Sequence, residues 1–155
     1  MRIRVLFVCH GNICRSPMAE FVFKDLALKK GVADMFSVAS SATSTEEIWN
    51  GIGNPVYPPA ARELAKHGIS CGGKRAVQLK ADDYDKYDFF VCMDSNNMRN
   101  IKRIFKSDPC DKISKLLDHT SFAGDVANPW YSGDFDTAYN DIFRGCTALL
   151  DELLD

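Results

Sequence analysis

The chain has 155 residues, a formal net charge of −2, and 46% hydrophobic and 26% charged residues. This composition is typical of one ordinary globular domain, and we expect a single domain over residues 1–155. Because the chain has no excess of basic residues, nucleic acids and membrane surfaces are poor candidates as partners. No apolar stretch is long enough to span a bilayer, and residues 1–4 lead into a strand rather than a signal peptide. We therefore expect a cytoplasmic protein.

Six cysteines raise the question of disulfides or a metal site. None forms a Cys-x2-Cys pair, and no histidine lies at metal-ligand spacing from them. Without an export signal, reduced thiols are the better interpretation, and the sequence indicates neither a metal nor a cofactor. Cys92 and Cys146 lie in apolar segments, where we expect them to be small core residues.

The first half of the chain predicts a strand over residues 2–8 and a helix over 17–30. The strand is a nearly continuous apolar run, as in parallel sheets buried on both faces. Pro17 suits the first helical turn, which leaves its N–H groups unpaired. A short strand follows over 36–39, and then residues 40–59, rich in Ser, Thr, Gly, Asn and Pro, predict a long irregular loop.

The second half continues the alternation of helices and strands. We predict helices over residues 60–67, 95–105 and 135–154, and strands over 87–93 and 112–116. This order favours a parallel sheet covered on both faces. The predicted fold is a small doubly wound α/β sheet of four parallel strands, with its ligand site at the carboxyl edge.

The segment after the first strand, residues 9–16, has the composition of an anion-binding loop. A loop that closes on a helix N-terminus points backbone N–H groups inward, and the helix dipole adds partial positive charge. Gly11 allows close approach of the backbone, and Asn12 tolerates a left-handed conformation. The predicted phosphate-binding residues are His10, Gly11, Asn12, Ile13, Cys14, Arg15 and Ser16.

Cys9, at the start of this loop, is the predicted nucleophile. The field that attracts an anion also stabilises a thiolate, the reactive form of cysteine. Arg15 offers a planar fork of donors to two phosphate oxygens, and the Ser16 hydroxyl can donate to the sulfur. A buried strand-end cysteine and a surface arginine are the plainer alternative. That alternative does not explain why the loop also contains a glycine, an asparagine and a serine.

Residues 8–17 resemble the signature V-C-x-G-N-I-C-R-S-P of the low-molecular-weight protein tyrosine phosphatase family at every specified position. The similarity extends to residues 87–88, 93–94 and 128–131. It implies phosphotyrosine proteins or aryl phosphates as substrates, a phosphocysteine intermediate, and phosphate as product or inhibitor. It also implies that Cys14 protects an oxidised Cys9 by forming a reversible disulfide. A small residue filling the loop interior is the alternative role for Cys14.

Asn128 is a departure from that family, in which a general-acid aspartate opens the Asp-Pro-aromatic-Tyr segment. The phenolate leaving group has a conjugate acid with a pKa of about 10, and a general acid contributes about 10²–10⁴-fold. Because an amide donates no proton usefully, we expect attenuated turnover. The substitution could be engineered or natural, or Asp125 could act instead, which is least favoured because it lies three residues away. Asn128 also suits the start of a turn before Pro129.

Three aromatic residues in polar surroundings, Trp49, Trp130 and Tyr131, are predicted to line the cleft and stack on a phenyl ring. Ordinary half-buried packing is the alternative for each. Ser41 is predicted to support Asn12, together with Ser16, behind the loop. Where many relatives carry a histidine, this chain has Lys74, so the network that supports the loop is expected to differ.

Two other functions stay open on the sequence. An arsenate reductase would need a closely spaced downstream pair of cysteines, whereas Cys71, Cys92 and Cys110 are widely separated. A module that binds or traps phosphotyrosine without efficient turnover is favoured by Asn128. Such a binder would keep its affinity when Cys9 is replaced by serine.

Overall fold

The computed structural model describes residues 1–155 and has a four-stranded parallel sheet at its centre. The strands are β1 (Ile3–Cys9), β2 (Phe36–Ala42), β3 (Ile48–Trp49), β4 (Ile52–Gly53), β5 (Phe89–Cys92) and β6 (Ile113–Lys115). The helices are α1 (Arg15–Lys29), α2 (Pro58–Lys66), α3 (Ser95–Phe105), α4 (Pro129–Ser132) and α5 (Phe135–Leu154). The sheet order is β2-β1-β5-β6, and β3 and β4 form a separate antiparallel hairpin. The predicted fold class is confirmed.

β1 is a central strand because its apolar residues are covered on both faces. It pairs in parallel with β2 from Ile3↔Phe36 to Cys9↔Ala42 and with β5 from Val5↔Phe89 to Val8↔Cys92. Its four central residues, 5–8, are at most 1% exposed. The last residue of β1, Cys9, therefore lies at the middle of the carboxyl edge of the sheet.

Alternate residues of β1 point into two separate cores, as the period of a strand requires. Val5 and Phe7 pack with residues of α1, α2 and α5, whereas Leu6 and Val8 pack with Phe90 of β5 and with α3. Helices thus cover both faces. None of them combines the length and the apolarity needed to cross a membrane.

The predicted irregular loop over 40–59 is the segment where the structure differs most from the expectation. β2 continues through Ser40 and Ser41, which pair with Phe7 and Val8 of β1. The β3–β4 hairpin follows, and α2 begins at Pro58, two residues before its predicted start. Polar composition suggested a loop, but backbone pairing to β1 makes these residues a strand.

The other element boundaries agree closely with the expectation, and the predicted helices over 95–105 and 135–154 match α3 and α5. Three short 3₁₀ segments and the four-residue α4 were not predicted, because such brief elements carry no periodic pattern. Cys92 and Cys146 are fully buried, which confirms their predicted place in the core.

Gly145 of α5 lies against Leu116, and a Cβ atom at this position would come within 2.4 Å of the Leu116 side chain. Helix propensity alone favours Gly145→Ala by about 1 kcal/mol, but overpacking costs about 1–3 kcal/mol. We expect Gly145→Ala to lower the free energy of unfolding by about 1 kcal/mol, measured by urea denaturation.

Gly73 provides the matched control, because a Cβ atom there meets nothing within 4 Å. We expect Gly73→Ala to change the free energy of unfolding by less than about 0.5 kcal/mol. A stabilised Gly145→Ala protein would mean that α5 does not pack this closely on the segment around Leu116.

Candidate active site

A cavity of about 460 Å³ opens over the loop between β1 and α1. Its floor is formed by residues 9–15, and its walls include Glu46, Glu47, Asp94, Asn96, Asn97, Asn100, Asn128, Trp130 and Tyr131. No side chain caps the N-terminus of α1. The first N–H groups of the helix are therefore not occupied by a side-chain cap and can bind an anion.

Cys9 lies at the floor of this cavity, with only 4% of its surface exposed. Its Sγ is 3.0 Å from the Ser16 Oγ and accepts a hydrogen bond from the Asn12 backbone N–H at 3.3 Å. Asn12 has a φ of 59°, which confirms its predicted left-handed conformation. Such donors stabilise a negative charge on the sulfur.

The direction of the Ser16 hydrogen bond follows from the Asn12 amide. Asn12 Oδ1 accepts from the backbone N–H of Val77 at 3.0 Å, so its Nδ2 faces Ser16 and donates to the Ser16 Oγ at 2.8 Å. Because the Ser16 oxygen already accepts a bond, its own proton is available to Cys9. A thiolate at Cys9 has no proton to donate, so toward that form of the sulfur Ser16 is the donor and Cys9 Sγ the acceptor.

Arg15 is the first residue of α1 and is only 4% exposed. One terminal nitrogen donates to the Val126 carbonyl at 3.0 Å, and the other donates to Asp94 Oδ2 at 2.8 Å. These bonds hold the guanidinium beside the loop, and its remaining N–H groups can bind an anion. Asp94 was not predicted as the partner of Arg15, because 79 residues separate them along the chain.

The two cysteines of the loop differ in their surroundings. Burial, and secondarily the charge of Cys9, raises the pKa of the Cys14 thiol to about 12. Cys14 therefore stays protonated at neutral pH, and Cys9, with its two donors, is the sulfur suited to attack. The disulfide expected between them stays a prediction; all six cysteines are free thiols here.

The residue behind Asn12 is Ser40, and the prediction of Ser41 for this contact is wrong. Asn12 Nδ2 donates to the Ser40 Oγ at 2.9 Å. Successive residues of a strand point to opposite faces, so only one of the two serines can face the loop. Ser40 in turn donates to the buried Glu20, which the sequence did not single out.

Asn128, Trp130 and Tyr131 line the cavity, and their roles toward a substrate stay predictions. The Asn128 side chain also accepts from the Trp130 N–H at 3.1 Å and caps α4, so both expected roles of this residue are compatible. Trp49 is 79% exposed in the hairpin and does not line the cavity.

Asp125 does not line the cavity either. Its carboxylate pairs with Lys115 at 3.0 Å and accepts from Ser95 at 3.3 Å. Burial works to raise the pKa of Asp125, but these partners outweigh it and keep the pKa below its ordinary value. An ionised, paired carboxylate outside the cavity is not a proton donor for a leaving group.

Sequence analysis missed several polar residues of the cavity rim. Glu46 lies 3.0 Å from the His10 side chain, and Glu47, Asn96 and Asn100 complete the rim. They occupy polar segments with no pattern that shows which way a side chain points.

No group of three or more His, Cys, Asp or Glu residues is placed to hold a metal ion.

The fold and the site together define a class of small α/β proteins that place a cysteine under an anion-binding loop after the first strand. Residues 4–155 match the family model described as low molecular weight phosphotyrosine protein phosphatase. The protein-tyrosine-phosphatase YfkJ of Bacillus subtilis is 39% identical over 150 residues, covering 96% of this chain and 94% of that protein. A Gallus gallus phosphatase of the same description is 38% identical over 155 residues, covering 96% and 94%.

Solved structures agree with these relatives. The crystal structure of YfkJ superposes with a TM-score of 0.93 at 36% identity, covering 99% of this chain and 96% of that one. A low molecular weight protein tyrosine phosphatase from Streptococcus pyogenes gives a TM-score of 0.87 at 34% identity, covering 100% and 95%. The chain belongs to the low molecular weight phosphotyrosine protein phosphatase family.

Removing the charge of Asp94 tests whether its ion pair with Arg15 keeps the guanidinium in place. Asp94→Asn keeps an acceptor that can cap α3 but leaves the buried guanidinium without its counter-charge. We expect a loss of about 3 kcal/mol in the free energy of unfolding and weaker binding of inorganic phosphate, measured by denaturation and by calorimetry.

Asp125→Asn is the control, because its ion pair with Lys115 is half exposed. Its expected cost is below about 1 kcal/mol, with phosphate affinity unchanged. Equal effects of the two substitutions would contradict a special role for the Arg15–Asp94 pair.

Proposed function

We propose that this chain is a protein tyrosine phosphatase that hydrolyses phosphotyrosine and small aryl phosphates through a phosphocysteine on Cys9. The observation that supports the proposal most is the Cys9 sulfur, which accepts two hydrogen bonds at the floor of an anion-binding cavity. The family and the printed descriptions of the relatives support phosphotyrosine as the substrate class.

The first chemical step transfers the phosphoryl group to Cys9. The thiolate attacks phosphorus from below, the loop N–H groups and Arg15 hold the phosphate oxygens, and the bond to the phenolic oxygen breaks. The electron pair leaves with that oxygen as phenolate. Because Cys9 is almost fully buried, the short side chain of phosphoserine does not bring its phosphorus to the sulfur, whereas phosphotyrosine does.

The second step returns the enzyme to its starting state. Water attacks the phosphocysteine, the phosphorus–sulfur bond breaks with its electron pair left on sulfur, and both protons of the water leave with the inorganic phosphate as dihydrogen phosphate. The departing thiolate regains the hydrogen bond from Ser16, which stabilises it as a leaving group. Residues 10–16 supply the phosphate-binding groups in both steps, and no cofactor takes part.

Trp130 and Tyr131, exposed at the rim of the cavity, are suited to stack on the phenyl ring of the substrate. Trp49 lies outside the cavity wall, and its contact with substrate stays a prediction.

Ile13 in the loop fits the tyrosine branch of the family, because a threonine stands at this position in the branch that acts on phosphoarginine.

Asn128 makes the expulsion of a poor leaving group slow. It lines the cavity, the resemblance aligns it with the general acid of the family, and the paired Asp125 offers no substitute. A substrate-trapping or phosphotyrosine-binding module is therefore the second candidate function. The arsenate reductase alternative finds less support, because Cys92 is fully buried in β5, away from solvent.

Trapping the intermediate tests the proposal directly. After rapid quenching from an aryl phosphate with an acidic phenol, intact mass spectrometry should show one added phosphoryl group on Cys9. Cys9→Ser should show none and should release no phenol. A wild-type protein that binds phosphotyrosine but never gains the phosphoryl group would identify the binding module instead.

The leaving-group dependence tests the role of Asn128. We expect Asn128→Asp to raise kcat on phenyl phosphate by about 10²–10⁴-fold, because a carboxylic acid can then protonate the phenolate. On an aryl phosphate with a strongly acidic phenol the gain should be small, since that leaving group needs no proton. Steady-state kinetics on both substrates measures the difference.

Asn96→Asp is the matched control, since Asn96 also lines the cavity but lies at the start of α3. It adds the same carboxyl group at a different position and should leave the leaving-group dependence unchanged. Equal gains from both substitutions would show that position 128 has no particular role.

A further inference from the structure

The exposed side of α3 carries an excess of positive charge. Residues 95–106 contain four basic residues and no acidic one, although the whole chain has a net charge of −2. Their spacing of three and four residues places them on one side of the helix, and all four are exposed. We call this surface the basic face of α3; it consists of Arg99, Lys102, Arg103 and Lys106.

The basic face differs from other charged parts of the surface because its side chains contact no carboxylate. They make two hydrogen bonds, from Arg99 to the Asn96 side chain and from Arg103 to the Asn100 side chain. Six lysines outside α3, in contrast, lie between 2.6 and 3.9 Å from a carboxylate oxygen: Lys24, Lys29, Lys30, Lys66, Lys86 and Lys115. Those charges are neutralised locally, and the charges of the basic face are not.

Such a cluster is unfavourable for the helix itself. Like charges four residues apart, such as Arg99 and Arg103, repel each other and destabilise a helix. The helix dipole favours the cations of the last turn, Lys102 and Arg103, but Arg99 lies in the middle of α3 and gains little from it. A bound anionic partner would replace this repulsion by attraction. The basic face is therefore suited to an acidic ligand.

The basic face lies at the edge of the phosphate cavity. Asn96 and Asn100, to which its two arginines donate, line that cavity. Asp94, which caps α3, also binds Arg15 in the cavity floor. A polypeptide with its phosphotyrosine in the cavity has to leave across one of the walls, and the α3 wall leads directly to the basic face.

The other side of the cavity has the opposite charge. β2 and β5 flank β1 in the sheet, so the segments that follow them lie on either side of Cys9. β5 leads into α3, whereas β2 leads to Glu46 and Glu47, which line the cavity. Acidic residues beside a phosphotyrosine would be repelled by these glutamates and attracted by the basic face. The charges therefore favour one direction for the polypeptide.

We propose that the basic face of α3 is a docking surface for acidic side chains of the substrate, so that the site prefers phosphotyrosines flanked by aspartate or glutamate. The inference deepens the proposed function and rests on phosphotyrosine as the group that enters the cavity. Anionic lipids are also attracted by positive charge. The position of the basic face beside the cavity favours a ligand that occupies both at once, as a phosphotyrosyl protein does.

The test compares two peptides of equal length that carry a non-hydrolysable phosphonate mimic of phosphotyrosine. One has glutamate and the other has glutamine on both sides of the mimic, and fluorescence polarisation measures both dissociation constants. We expect the glutamate peptide to bind the wild-type protein about three- to tenfold more tightly at low salt, as two exposed ion pairs would give. This ratio should fall toward one at about 0.5 M salt, because exposed charges are then screened.

Arg99→Gln combined with Arg103→Gln should lower the ratio to below about twofold, because the two charges beside the cavity wall are removed. A general change in the cavity affects both peptides and cancels in the ratio. Arg2→Gln combined with Lys29→Gln is the matched control, since it removes two positive charges before β1 and at the last residue of α1. The control should keep the wild-type ratio. An equal fall there would assign the preference to net charge and overturn the proposal.

The salt dependence of the wild-type protein needs no variant, so it stays decisive if a variant does not fold. A wild-type ratio near one at low salt would overturn the proposal. If the protein then sedimented with vesicles of phosphatidylserine and phosphatidylcholine, a lipid surface would replace the peptide as the ligand of the basic face.

These peptides are not hydrolysed, so the result is independent of turnover. A protein that prefers the glutamate peptide but never forms a phosphocysteine would refute the proposed catalysis and leave the docking surface supported. A protein that forms the phosphocysteine and binds both peptides equally would support the catalysis and overturn the docking surface.

Discussion

The hydrogen bond from Ser16 to the Cys9 sulfur is the interaction on which the site depends. It joins the last residue of β1 to the first turn of α1, and it can form only because the loop between them closes tightly over the helix N-terminus. The sheet contributes by burying β1 on both faces, which fixes the sulfur at the middle of its carboxyl edge. A thiolate at this point has two donors within hydrogen-bond distance, the Ser16 hydroxyl and the Asn12 backbone N–H.

Each buried charge around this sulfur has an opposite charge beside it. Asp94 holds Arg15 on the cavity side, and Lys74 faces Glu20 behind the loop. Because these charges are balanced in pairs, the attraction for an anion comes from donors that point at it, among them the remaining N–H groups of Arg15, and not from the overall charge of the chain. The N–H groups of α1 provide the rest, and because they belong to the backbone they add no charged side chain that would need burial.

The sequence predicted the site where the determinants are local and missed it where they are distant. Residues 9–16 are contiguous, so their composition, between a predicted strand and a predicted helix, indicated the loop, the nucleophile and the left-handed Asn12. The partners of that loop come from far along the chain: 79 residues separate Arg15 from Asp94, and 28 separate Asn12 from Ser40. Choosing Ser40 over Ser41 requires the strand register, because neighbouring strand residues face opposite sides and polar composition alone had suggested a loop.

Asn128 shows how a single residue can serve structure and chemistry separately. Its side-chain oxygen caps α4 by accepting from the Trp130 N–H, and asparagine and aspartate are about equally good at this task. The wall that carries Trp130 and Tyr131 into the cavity therefore does not depend on which of the two residues is present. What differs is the proton, which a carboxylic acid can deliver and an amide cannot. The cap on α4 and the proton-donating ability of this side chain are therefore independent properties, so an exchange between asparagine and aspartate can alter one and leave the other.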